Sequence, residues 1–151
     1  MKQMMVKVMA CLFVASACGS EPEEKVFGTF ALAAVQGSLL PYHDPEKSDA
    51  DCDAFITEGE LVLQPSGGFT LEFSGPRTCT GGEQPVTMGR VYSGTASQSG
   101  GQLTFTVATA TPGGGTIQFA GTVNPLEAIV TVPPIPPATG SNLLLQFAAV
   151  R

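Results

Sequence analysis

Through most of the chain, apolar residues recur at every second position, and Gly, Pro or Asn interrupts the alternation at short intervals. A period of two places alternate side chains on opposite faces, the pattern of a half-buried β-strand. It predicts strands near 27–35, 55–63, 69–73, 89–97, 103–107, 117–123, 128–132 and 143–150. In the second, Leu61 and Leu63 point one way and Glu58 and Glu60 the other, while Phe69, Leu71 and Phe73 of the third alternate with Thr70 and Glu72. Pro65-Ser66-Gly67-Gly68, Gln98-Ser99-Gly100-Gly101 and Pro112-Gly113-Gly114-Gly115 read as turns, and Asn124-Pro125 as a break. Pro133-Pro134-Ile135-Pro136-Pro137 lacks ladder N–H groups and reads as a loop or sheet edge. Eight strands joined largely by tight turns predict an antiparallel up-and-down meander whose apolar face must be hidden. It either closes as a small barrel, which also removes the exposed edges, or folds over as a β-sandwich.

Composition agrees with the pattern. Thr, Ser, Gln and Gly supply the polarity, charged residues make up 13% of the chain, and no segment reads as a convincing helix. The chain carries 13 acidic residues against 7 basic ones. That balance argues against nucleic acid held through phosphate contacts, and against the body of the protein lying on anionic lipid by charge.

The first residues read as an address. Lys2 and Lys7 precede the short apolar run Val8 to Ala17, which is shorter than the ~20 residues a membrane-spanning helix needs. Ala15-Ser16-Ala17-Cys18 resembles the lipobox of bacterial lipoproteins, with Ala15 where Leu is usual. The resemblance implies a signal peptide over 1–17, cleavage before Cys18, acylation of its thiol with palmitate-type chains, and a flexible tether over 18–26. Gly19 after the Cys is similar to lipoproteins sent to the outer membrane. The competing readings are ordinary cleavage leaving Cys18 a free thiol, and lipidation at Cys11, which has too little apolar sequence before it.

Residues 27–151 form the expected barrel domain. FALAAVQGSLLP over Phe30 to Pro41 and GELVLQPSGGFTLEF over Gly59 to Phe73 resemble a pattern in small uncharacterised bacterial lipoproteins described as lipocalin-like. The resemblance implies a fold more than a function. An eight-stranded barrel holds either its own side chains or one small ligand. Phe30, Phe69, Phe73, Tyr92, Phe105 and Phe119 are therefore expected inside, as a packed core or as the lining of an apolar site.

Cys52 and Cys79 stand at near-equal distances from the turn at Gly67, which predicts a structural disulfide across the open end of one hairpin in an oxidising compartment. Asp44 to Asp53 holds five acidic residues, and Asp49, Asp51 and Asp53 have the alternate spacing of calcium ligands. Ala54 replaces the loop glycine and no closing Glu follows, so a solvated acidic loop is the stronger reading. His43, the single histidine, has Asp44 beside it but no catalytic motif around it. The expectation is a non-enzymatic envelope protein without cofactor. It is held to a membrane, by the resemblance the outer one, through Cys18, and binds a small hydrophobic ligand or an envelope protein. The alternative is a structural protein with a packed barrel acting through the loops 41–52 and 133–141.

Overall fold

Eleven strands account for the regular structure in a computed structural model that describes residues 24–82, 84–108, 115–134 and 140–151. They are β1 (Gly28–Val35), β2 (Ser38–Leu39), β3 (Tyr42–His43), β4 (Cys52–Ile56), β5 (Glu58–Leu63), β6 (Gly68–Cys79), β7 (Val86–Ser99), β8 (Gln102–Ala108), β9 (Thr116–Val123), β10 (Glu127–Val132) and β11 (Leu143–Ala149). The described residues include no helix.

Eight of these strands close a ring. β5 to β11 pair in sequence order, and β1 joins the two ends by pairing with β11 along one edge and β5 along the other. Every pair is antiparallel, so the expected up-and-down barrel is the fold and the sandwich is not. β2, β3 and β4 lie outside the ring. The alternating inward residues form one core, including Phe30, Leu61, Leu71, Tyr92, Phe105, Val130, Leu145 and Phe147.

The predicted strand over 55–63 is two strands, split at Thr57. Cys52, Asp53 and Ala54 of β4 pair in step with Cys79, Thr78 and Arg77, but Glu58 of β5 pairs with Ser74, so the outer side carries one extra residue. This bulge exchanges the faces: Ala54 and Ile56 are buried before it, Leu61 and Leu63 after it. Two neighbours make it possible. At Gly75 an added Cβ would collide with the Phe55 carbonyl oxygen, so only glycine admits the close approach. Pro76 lies opposite the irregular stretch, where its missing N–H costs no ladder bond. A second irregularity, between Leu32 and Ala34 of β1, buries both Ala34 and Val35 in succession.

The barrel has two unlike ends. At one, short turns join β5 to β6, β7 to β8 and β9 to β10, and Gly100 and Gly101 both take positive φ in a two-residue hairpin. The chain enters at this turn end, where the Gln98 side chain accepts the Val26 N–H (2.9 Å) and donates to the Val26 carbonyl (2.6 Å). The longer connections, with β2, β3 and the start of β4, gather at the opposite loop end.

Cys52 and Cys79 face each other in the β4–β6 register and form the expected disulfide. Replacing both with Ser should lower unfolding stability by about 3–4 kcal/mol on the loop-entropy account, given their sequence separation of 27. Phe105→Ala, at a fully buried position, should cost about 3–5 kcal/mol. Urea denaturation followed by circular dichroism measures both, and an unchanged midpoint would contradict either assignment.

Candidate functional site

The six aromatic residues expected inside the barrel are all there, none more than 8% exposed. Five of the rings meet one another. Phe69 and Phe105 have centroids 4.7 Å apart, Phe105 and Phe119 4.9 Å, Tyr92 and Phe119 5.5 Å, and Phe73 and Tyr92 6.4 Å. Phe30 lies in the same hydrophobic core. These are the edge-to-face and stacked arrangements that aromatic rings favour in a packed core. The Tyr92 hydroxyl leaves the cluster toward the loop end and donates to the Pro133 carbonyl at 2.6 Å, and burial raises its pKa above the usual phenol value.

Polar chemistry gathers at the loop end. Asp44 is the one charged residue buried among those described, at 7% exposure. Its Oδ1 accepts the Glu46 N–H, its carbonyl accepts the Ser48 hydroxyl and the Lys47 and Ser48 amides, and its own N–H donates to Ala54. An Asx turn with Pro45 at its centre thus shapes the loop locally. Tyr42 lies at the entry to this loop, and its pKa is raised by burial first and by the Asp44 and Glu46 carboxylates second.

His43 acquires partners that its sequence neighbours do not reveal. Its Nε2 lies 3.1 Å from Asp53 Oδ1 and 3.1 Å from Ser48 Oγ. A serine, a histidine and an aspartate therefore meet, but both oxygens converge on one ring nitrogen. A hydrolytic triad uses opposite nitrogens, one to hold the carboxylate and one to take the serine proton. The Ser48 hydroxyl is also occupied, donating to the Asp44 carbonyl at 2.7 Å and accepting the Ala54 N–H at 3.0 Å. The trio is arranged to hold a loop in place.

The three alternate aspartates do not share a centre. Asp49 pairs with the Arg77 guanidinium and accepts the Asp51 N–H, while Asp53 turns to His43. Among the described residues no group of three potential ligand side chains is placed to hold a metal ion. Arg77 also donates from Nε to the Lys47 carbonyl at 3.1 Å, tying the acidic loop to β6 near the disulfide.

Two further residues had no place in the sequence reading. Glu46 accepts the Ser141 N–H, clasping the first loop to the β10–β11 connection, and Gly140 leaves room for it because a Cβ there would strike the carboxylate. Beneath the clasp, the Arg90 guanidinium lies 6.0 Å from the Phe73 ring centroid, and one of its terminal nitrogens is buried without a hydrogen-bond partner among the described residues. A cavity of 40 Å³ beside it is lined by Asp44, Ile56, Phe73 and Met88. Arg90 shares a parity with Tyr92 two positions on, so strict alternation would have turned it inward as well.

Outside the barrel, Glu60 stands directly opposite Glu72, with Glu58 close by accepting the Ser74 hydroxyl at 3.0 Å. Cys18, the expected acylation site, lies outside the described residues. No family model, curated protein or solved structure matches the chain.

The Ser141 hydrogen bonds, backbone first, lower the Glu46 pKa below its ordinary 4.5, against a smaller opposing effect of burial. A depressed carboxylate stabilises the fold above its unfolded pKa, and that contribution is lost as pH falls through the lower folded value. The Ser141 amide resonance should therefore titrate with a midpoint below 4.5 and stop titrating in Glu46→Gln. A midpoint at or above the ordinary value would mean that the clasp does not form in solution.

Proposed function

We propose that this protein is a non-enzymatic lipoprotein of the bacterial cell envelope, held to a membrane by acylated Cys18, whose barrel is a solid stand for a protein-binding loop end. One observation carries the choice between a ligand-holding lumen and a packed one. The rings that would line an apolar site are spent on each other, at centroid distances of 4.7 to 6.4 Å. A rigid interior leaves the outside to act, and the most elaborated part of the outside is the clasped loop region around Asp44–Ser48 and Ser141. The resemblance of Ala15-Ser16-Ala17-Cys18 to a lipobox supports the anchor. So does the geometry of entry: the chain reaches the barrel at the turn end, so an anchored molecule holds its loop end away from the lipid.

Expression in a bacterial host supplies the test. The processed protein should partition into detergent, with a mass that places a diacylglyceryl group on Cys18, and Cys18→Ser should release it to the aqueous phase. An unmodified N-terminus with unchanged partitioning of Cys18→Ser rejects the anchor. Native mass spectrometry should give a ligand-free mass, and a stoichiometric lipid-like adduct in the lumen would overturn the packed-stand reading. A photo-crosslinker at Asp51 should capture one recurring envelope protein that a crosslinker at Thr131, on the barrel wall, does not.

A further inference from the structure

Of the six large apolar side chains exposed among the described residues, Leu39, Val86 and Val91 stand elsewhere on the surface, and three gather around the turn end. Phe27 is 40% exposed, Leu126 62% and Val150 59%. They are neighbours through the backbone: the Ala149 N–H donates to the Leu126 carbonyl, and the Val150 N–H donates to the Thr29 carbonyl two residues beyond Phe27. Phe27, Pro125 and Val150 line a common groove of 590 Å³. Neither the core nor the loop network accounts for this rim.

Charge is distributed unevenly between the two ends. Among the described residues, the charged side chains around the turn end are Glu24, Lys25, Glu127 and Arg151, two of each sign, and the tether before them adds Glu21 and Glu23. The loop end carries Asp44, Glu46, Asp49, Asp51 and Asp53 against Lys47, Arg77 and Arg90, and Glu58, Glu60 and Glu72 stand on the wall. The barrel body itself, apart from the tether, is least acidic at the turn end.

Tether length adds the third argument. Val26, where Gln98 fixes the chain to the barrel, lies eight residue steps after Cys18. Fully extended, eight steps span at most about 28 Å, so a lipid on Cys18 keeps the exposed rim within reach of the bilayer. We propose that the turn end is a membrane-seating surface, with Phe27, Leu126 and Val150 resting at headgroup depth on the bilayer that holds the anchor. This rests on the lipoprotein reading above. Apolar side chains at the interface add to the hold of the acyl chains, and two kinds of contact fix an orientation where a flexible tether alone would not.

The chain has no tryptophan, so a single introduced one reports its own surroundings. The full-length lipidated protein is placed in phosphatidylethanolamine–phosphatidylglycerol vesicles with brominated acyl chains, carrying Phe27→Trp, Val150→Trp or, as a loop-end control, Val86→Trp (62% exposed). The expected result is blue-shifted, bromine-quenched emission from the first two and unquenched aqueous emission from the third. Absence of quenching in all three, with the protein still floating with the vesicles, overturns the seating while sparing the anchor. Quenching in all three overturns the orientation. A concentration-dependent blue shift of Phe27→Trp without quenching assigns the rim to a second copy and overturns the proposal. Failure to float rejects the anchor, and the seating with it.

Discussion

The architecture depends on β1 hydrogen-bonding along both edges. Phe30 faces Ala149 of β11 on one side and Leu61 of β5 on the other. Without that double pairing, β5 to β11 would be an open sheet with two bare edges and an apolar face too large to leave in water. Closure turns the same alternation into a core and leaves the segment between β1 and β5 no place in the ring. It is therefore displaced to one end, where it forms β2, β3, β4 and the acidic loop.

What holds that displaced segment is largely polar. Asp44 organises its own turn, His43 meets both Ser48 and Asp53, Arg77 ties Asp49 and the Lys47 carbonyl to β6, and Glu46 reaches across to Ser141. Each exposed contact contributes little alone. The disulfide between Cys52 and Cys79 fixes the base from which they start, so the loop is ordered from a covalent point outward.

Much of the fold could be read in the sequence because period-two alternation is local and the turns carry their own glycines. The Cys52–Cys79 pairing was legible for a related reason: a hairpin centred near Gly67 brings equidistant residues together. The break at Thr57 was not, since the bulge exists only because Gly75 admits the Phe55 carbonyl from another strand. The same limit hid the surroundings of His43. Ser48 and Asp53 are five and ten residues away, and only the fold of the loop brings them to one nitrogen. Gln98 lies 72 positions from Val26, and nothing near either residue announces that contact. The interior was legible as a list of rings, whereas whether they touch is a matter of barrel diameter, which no single strand encodes.

Glu60 opposite Glu72 is a poor choice for a sheet considered alone, because carboxylates facing across a strand pair weaken it. Its effect is larger for a population than for one molecule. Exposed β-walls invite sidelong encounters between copies to persist. Two of these walls brought within about 8–10 Å, inside the range at which physiological salt leaves charges unscreened, meet carboxylate against carboxylate. The strand pair gives up some strength, and crowded neighbours are kept from sticking along that flank.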